Sequence, residues 1–261
     1  MLKFFRKIRQ KTLTESKFGK YLLYAVGEII LVVIGILIAL QINNNSENHK
    51  KQQFEIAILE NIKEDILADK LDCELNLQYL KVEITNEQRL LDFLLDASIQ
   101  PSDSISFNDA LGIDMLTVFH NASFNNLQNN DIGLISNNTL YKEITRFYDF
   151  FVSALKEVEN NHDYANTYDD KFFYFKKHFT VIDKKTRINI GSGIDTWKQE
   201  FDRYNFAIKN VDMLKKDEEF KVLLAESLFI NSVKISFYQQ LFEKIDSLNK
   251  SIDSELRTLK E

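Results

Sequence analysis

The hydrophobic pattern near the N-terminus is a single apolar run. Residues 21–42 read YLLYAVGEIILVVIGILIALQI, and Glu28 is their only charged residue. As a helix this run is about 33 Å long at about 1.5 Å per residue, enough to cross the hydrocarbon core of a bilayer. It is too long for a signal peptide, and no Ala-x-Ala cleavage site follows it. The pattern predicts one transmembrane helix that stays attached.

The charges beside this run predict its orientation. Residues 1–20 contain seven Lys and Arg against one acidic residue, whereas residues 43–47 contain no Lys or Arg. The positive-inside rule then places the N-terminus in the cytoplasm. We therefore expect a cytoplasmic basic segment over 1–20, a transmembrane helix over 21–42 and an extracytoplasmic domain over 47–261.

The basic segment is also amphipathic, because apolar and basic residues alternate within residues 2–13. Such a segment fits a helix lying in the cytoplasmic lipid interface, although a basic flank that only fixes topology explains it equally well. The residues that would contact lipid are Lys3, Phe4, Phe5, Arg6, Lys7 and Arg9.

Four residues of the transmembrane segment favour a role beyond anchoring the chain. Glu28 is costly in hydrocarbon, so it either makes an intramembrane contact or reaches the inner boundary near Lys20 and the headgroups. Gly35 and Ala39 form a small-xxx-small pair, which allows two helices to approach closely. The candidate transmembrane interaction residues are Gly27, Glu28, Gly35 and Ala39.

Two long apolar seams follow. The first runs from Leu59 to Leu94 at steps of three and four, and only Asp69 and Glu87 interrupt it. The second runs from Leu228 to Leu259, includes Asn231 and Asn249 and follows the candidate N-cap Asp217. Similar length and spacing predict two long coiled-coil-like helices that pack antiparallel, with buried Asn fixing their register.

The rest of the chain has few helix breakers, with one Pro and seven Gly. We predict a helix over 138–165, shorter helices over 107–120 and 196–214, and a loop or small hairpin over 179–195. The predicted fold class is all-α: one N-terminal transmembrane helix followed by an extracytoplasmic bundle with two long antiparallel coiled-coil-like helices.

Composition argues against several functions. The single cysteine, Cys73, excludes an internal disulfide. Residues 1–20 carry a charge of +6, which leaves −12 on the rest of the chain and disfavours nucleic-acid binding. Glu159 and His162 have the Glu-x-x-His spacing of di-iron bundles, but no second such pair exists. With no catalytic or cofactor motif, we expect neither an enzyme nor a metal or cofactor.

Two other stretches allow two interpretations each. Residues 171–179 interleave aromatic and basic side chains and suit a binding surface or, more simply, core packing. The Asn-rich residues 124–133 suit a ligand-binding turn or a connecting loop.

The stretches FFRKIRQ at 4–10 and KYLLYAVGEIILVVIGILIALQINN at 20–44 resemble the N-terminus of a Bacteroidota family called domain of unknown function 6090. Fainter likeness continues to Tyr148, but Asn45 stands where an aromatic residue is usual in the family. The resemblance implies an inner-membrane protein with a periplasmic domain, makes Gly27, Glu28 and Gly35 part of a motif, and supplies no catalytic residues.

These patterns predict a single-pass membrane protein whose periplasmic helical domain binds a protein partner or a second copy of itself. The lipid bilayer is its other partner. The alternative is a ligand-sensing periplasmic domain that acts through a membrane partner.

Overall fold

The computed structural model describes residues 17–96, 98–99, 105–112, 117–129, 134–160, 167–191 and 198–261. The predicted lipid-interface residues Lys3, Phe4, Phe5, Arg6, Lys7 and Arg9 lie outside these ranges. The chain divides into two units, 1–54 and 55–261.

The first unit consists of the beginning of helix α1, which extends over Lys17–Leu95. Among the described residues, this is the one helix long and apolar enough to cross a membrane, as the sequence predicts. The helix has no break at the Asn run, where Asn43 donates from Nδ2 to Glu47 Oε1 at 3.0 Å. Its apolar side chains over 22–42 are exposed.

In the second unit, the remainder of α1 pairs with the C-terminal helix α8, Glu218–Lys260. Asp217 caps α8 as predicted, by accepting a hydrogen bond from the Phe220 N–H at 3.1 Å. The two helices run antiparallel, as the ion pairs between them show. These pairs are Lys63–Asp253, Lys70–Asp246 and Lys260–Glu60, at 2.5, 2.6 and 2.7 Å.

Shorter elements complete the second unit. They are α2 (Phe107–Leu111), α3 (Ala122–Asn129), α4 (Asn138–Arg146), a π-helical segment (Phe147–Val152), α5 (Ser153–Asn160), α6 (Tyr168–His178), strands β1 (Phe179–Gly191) and β2 (Lys198–Ile208), and α7 (Val211–Lys215). One core joins α1 and α8 to the region from α3 to α5, and a second joins α1 and α8 to α2, α6 and α7.

The antiparallel hairpin of β1 and β2 contradicts the all-α prediction. It pairs Phe179 with Ile208, has a bulge between Ile182 and Lys185, and replaces the helix predicted over 196–214, of which only α7 exists. Residues 179–191 form a strand rather than a loop, but the partner strand begins at Lys198, beyond the small hairpin predicted over 179–195. The reason lies in apolar residues at a spacing of two, such as Tyr204, Phe206 and Ile208, which suit a strand.

The helix predicted over 107–120 is also too long. It ends at Leu111 because Gly112 follows with a φ of 79°, a non-helical conformation that residues other than glycine rarely adopt. Residues 117–120 are not helical. The helix predicted from 138 is confirmed up to Asn160, with a π-helical interior.

Candidate functional site

The two residues that interrupt the apolar seam of α1, Asp69 and Glu87, are both fully buried. Each is the centre of a set of polar side chains from distant parts of the chain. We call these sets the Asp69 cluster (Asp65, Asp69, His120, Tyr148) and the Glu87 cluster (Glu83, Glu87, Lys171, Ser227, Asn231).

Three carboxylates on α1 accept hydrogen bonds from the backbone of the segment that leads into α3. Asp72 accepts from the Val118 N–H at 3.1 Å, and Asp69 accepts from the His120 N–H at 2.9 Å. Further along, Asp65 accepts from the Ser123 N–H at 3.4 Å. The segment therefore runs antiparallel to α1, and its backbone donors are satisfied by side chains because the segment forms no helix or strand over 117–120.

Asp69 also contacts the ring of His120, whose Nδ1 lies 2.7 Å from Asp69 Oδ1. The Asp69 side chain is fully buried, whereas that of His120 is 36% exposed. Burial raises the pKa of Asp69 to about 6, although the hydrogen bonds from His120 act in the opposite direction. This carboxylate therefore takes up a proton at a higher pH than an exposed aspartate does.

The second oxygen of Asp69 has a different environment. Asp69 Oδ2 is buried and has no hydrogen-bond partner among the described residues, and the same holds for the Tyr148 hydroxyl. Tyr148 belongs to the π-helical segment and stacks on Phe124 with ring centroids 4.4 Å apart. Segments of π-helix occur frequently at functional sites. Burial raises the pKa of Tyr148, and the charges of Asp69 and Asp65 add to this effect.

In the Glu87 cluster, one buried ammonium group forms ion pairs with two carboxylates. Lys171 Nζ on α6 lies 2.5 Å from Glu83 Oε1 and 2.7 Å from Glu87 Oε1. From α8, Ser227 donates to Glu87 at 2.6 Å, and Asn231 donates to Glu87 Oε2 at 3.1 Å and to Glu83 Oε1 at 3.2 Å. The cluster thus joins α6 and α8 to α1, and Asn231, on the predicted seam of α8, is buried within it.

Burial and charge have opposite effects within this cluster. Burial raises the pKa of Glu83, although the neighbouring Lys171 ammonium opposes the change. For Lys171, burial alone would lower the pKa, but the charges of Glu83 and Glu87 raise it. Lys171 is therefore charged at neutral pH. Two buried carboxylates then share one positive charge.

Glu159, one half of the Glu-x-x-His pair, has a structural role. Its carboxylate accepts from the Thr117 N–H at 3.0 Å, from Thr117 Oγ1 at 2.7 Å and from the Tyr238 hydroxyl. His162 lies outside the described residues. Over the parts of the chain that the structure describes, no group of three or more His, Cys, Asp or Glu side chains could hold a metal ion.

The predicted transmembrane residues lie on an open helix surface. A Cβ added at Gly27 or Gly35 would meet no atom within 4 Å, and Glu28 and Ala39 are exposed. Successive residues of a helix are about 100° apart, so Glu28, Gly35 and Ala39 fall within about 20° of one direction. Leu37, at the same depth, points about 180° away. The described structure does not cover this face.

The two ambiguous stretches are core only in part, and up to Asn129 the Asn-rich stretch is helix α3 rather than the turn or loop predicted. Phe175 and Phe179 are buried in the second core, and Phe124 and Leu127 in the first. Residues 130–133 of the Asn-rich stretch lie outside the described ranges. Phe173, at 58% exposure, remains on the surface.

The comparisons with known proteins bear on the N-terminal part of the chain. Residues 28–108 match the model of a family of unknown function, DUF6090. The resemblance seen in the sequence is thereby confirmed over this stretch. The DUF6090 match includes Glu28, Gly35 and Ala39 together with Asp69, Glu83 and Glu87. No curated protein and no solved structure matches the chain.

Sequence analysis missed both polar clusters as sites. Their partners before α3, in the π-helical segment, on α6 and on α8 are far away in sequence, so spacing along the chain gives no indication of them. The available signal was the presence of Asp69 and Glu87 in an otherwise apolar seam, because a buried charge requires a partner.

Proposed function

We propose that this protein is a single-pass inner-membrane protein whose helical domain lies in the periplasm. It acts by binding another protein, or a second copy of itself, and carries out no catalysis. The observation that carries this proposal is the open face formed by Glu28, Gly35 and Ala39 on the apolar helix. A helix that contacts only lipid needs nothing beyond apolar side chains over this segment.

The chemistry of this face suits a helix partner. A charged side chain at the centre of a membrane helix costs about 2.5–3.5 kcal/mol, and Glu28, about a third of the way into the segment, costs less; a donor from a second helix reduces that cost. Beside Glu28, the small residues Gly35 and Ala39 let two backbones approach closely enough for van der Waals packing and interhelical hydrogen bonds. The three residues together form a continuous docking stripe.

Co-purification in mild detergent tests this proposal. Membranes with a tagged and an untagged copy are solubilised, and everything retained with the tagged copy is identified. We expect a stoichiometric partner, either the untagged copy or another membrane protein. Gly35→Leu should reduce its recovery at least about tenfold because the added side chain separates the helices. Leu37→Ala, on the opposite face, should leave recovery unchanged. A monomer without any partner would contradict the proposal.

Ligand sensing is the second candidate, and the Asp69 cluster favours it. A buried carboxylate oxygen and a buried phenol hydroxyl, each without a partner in the described structure, are groups that a small ligand could satisfy. Sensing would then proceed through a membrane partner.

A further inference from the structure

The strongest unexplained feature of the domain is a pair of buried polar atoms. Asp69 is fully buried and Tyr148 is 4% exposed, yet neither Asp69 Oδ2 nor the Tyr148 hydroxyl bonds to any residue that the structure describes. A buried polar group without a partner is costly, and native structures contain few of them. Two in one neighbourhood indicate a shared missing partner.

A chain of contacts places the two atoms in the same neighbourhood. Asp69 bonds to His120, and one helical turn earlier Asp65 bonds to Ser123. The next residue, Phe124, stacks on the Tyr148 ring. Consistent with this route, the charges of Asp69 and Asp65 both act on the Tyr148 hydroxyl. The neighbourhood therefore combines two carboxylates, one hydroxyl and two stacked aromatic rings.

The chemistry of these groups selects a particular ligand class. A carboxylate oxygen only accepts hydrogen bonds, and a phenol hydroxyl is able to accept as well. The imidazole of His120 contacts Asp69 Oδ1 and leaves Oδ2 without a partner among the described residues. Asn121 adds a third buried oxygen, Oδ1, without a partner among the described residues. Acceptors, negative charge and aromatic rings together suit a cation that carries N–H donors.

We propose that Asp69 Oδ2 and the Tyr148 hydroxyl bind a small ammonium-type cation between α1 and the π-helical segment. Both atoms are buried, so we take the ligand to be small: an ammonium ion or the head of a small primary amine. This inference rests on the ligand-sensing candidate and supplies its ligand class. It is independent of the transmembrane face, so the two are tested separately.

Thermal unfolding of the full chain in detergent, with ammonium chloride as the probe, tests the site. At about pH 8, above the pKa of about 6, Asp69 is ionised. Relative to sodium chloride of equal ionic strength, ammonium at ten times its Kd should raise the Tm by about 3–6 °C. Tetramethylammonium chloride, which has no N–H donor, should give no such rise.

Two variants and one control locate the effect. Tyr148→Phe keeps the ring that stacks on Phe124 and removes only the hydroxyl, so it should abolish most of the ammonium shift. Asp69→Asn should abolish it as well. Tyr238→Phe alters another buried tyrosine of the same core and should keep the full shift, whatever its own Tm.

Three results would overturn the proposal. The first is no ammonium-specific rise at saturating concentration, which would mean that the site holds water only. The second is an equal rise with tetramethylammonium. The third is a full rise in Tyr148→Phe, which remains informative even if Asp69→Asn fails to fold. None of these results bears on helix association in the membrane.

Discussion

Removing the charge of Lys171 is the sharpest perturbation of the Glu87 cluster. Lys171→Met keeps most of the apolar stem but leaves Glu83 and Glu87 buried without their counter-ion. Breaking a buried ion pair by deleting one partner costs about 3–5 kcal/mol, because the remaining charge stays desolvated. Ser227 and Asn231 still donate to Glu87, so we expect a loss of about 3 kcal/mol in the free energy of unfolding near pH 8.

This loss should depend on pH. Burial already raises the pKa of Glu83 above its ordinary value of 4.5, so between that value and the folded one the folded chain holds more protons than the unfolded chain. In that window, stability falls as pH rises. Lys171 opposes the rise in the Glu83 pKa, so Lys171→Met should raise that pKa further and extend the fall in stability to higher pH. The penalty should therefore be smaller near pH 5 than near pH 8.

Urea unfolding of the full chain in detergent, followed by far-UV circular dichroism, measures this effect. Lys177→Met is the matched control, because Lys177 lies on the same helix, is 47% exposed and pairs with Asp217. The side chain of Asp217 is buried but keeps His178 and the Phe220 N–H as partners, so removing the exposed Lys177 ammonium should cost about 0–1 kcal/mol. If Lys171→Met lost less than about 1 kcal/mol near pH 8, or the same amount near pH 5, our interpretation of the cluster would be wrong.

Three further predictions concern other parts of the chain. Tyr238→Phe should lower the free energy of unfolding in urea by about 1–3 kcal/mol, because Glu159 loses a buried donor. Tyr148→Phe in ammonium-free buffer should change it by less than about 1 kcal/mol, because the Tyr148 hydroxyl has no partner among the described residues. Gly112→Ala should cost at least about 1 kcal/mol in the same assay, because its φ is positive and its Cβ would meet the Glu83 carboxylate. In Ser247→Cys, the exposed new thiol should react with a membrane-impermeant maleimide in cells with a permeabilised outer membrane, while buried Cys73 should not. Protection of the new thiol would argue against a periplasmic domain.

The long helices were predictable because their signals are local. Apolar steps of three and four extend over many turns in both, and Asp217 precedes α8 with the side chain that an N-cap needs. The apolar segment over 21–42 is equally self-contained. Each of these patterns can be recognised without knowing what the helix contacts.

The parts that sequence analysis missed depend on distant contacts. The hairpin is longer than its turn residues indicate, and Asn108, from another element, donates to the Tyr204 carbonyl at 2.8 Å. Lys171 and Glu87 are 84 residues apart and meet only because α6 packs on α1. Tyr148 looked like an ordinary aromatic of an amphipathic helix, and nothing local shows that its hydroxyl would be buried without a partner.

Photo-crosslinking in native membranes most directly tests the central claim that the transmembrane helix binds a partner through one face. A photoreactive residue is placed at Gly35, Ala39 or Leu37, three positions at similar depth. The account predicts one discrete adduct from Gly35 and Ala39, to a second copy or to another membrane protein, and none from Leu37. Equal adducts from all three positions, or adducts to lipid alone, would contradict it.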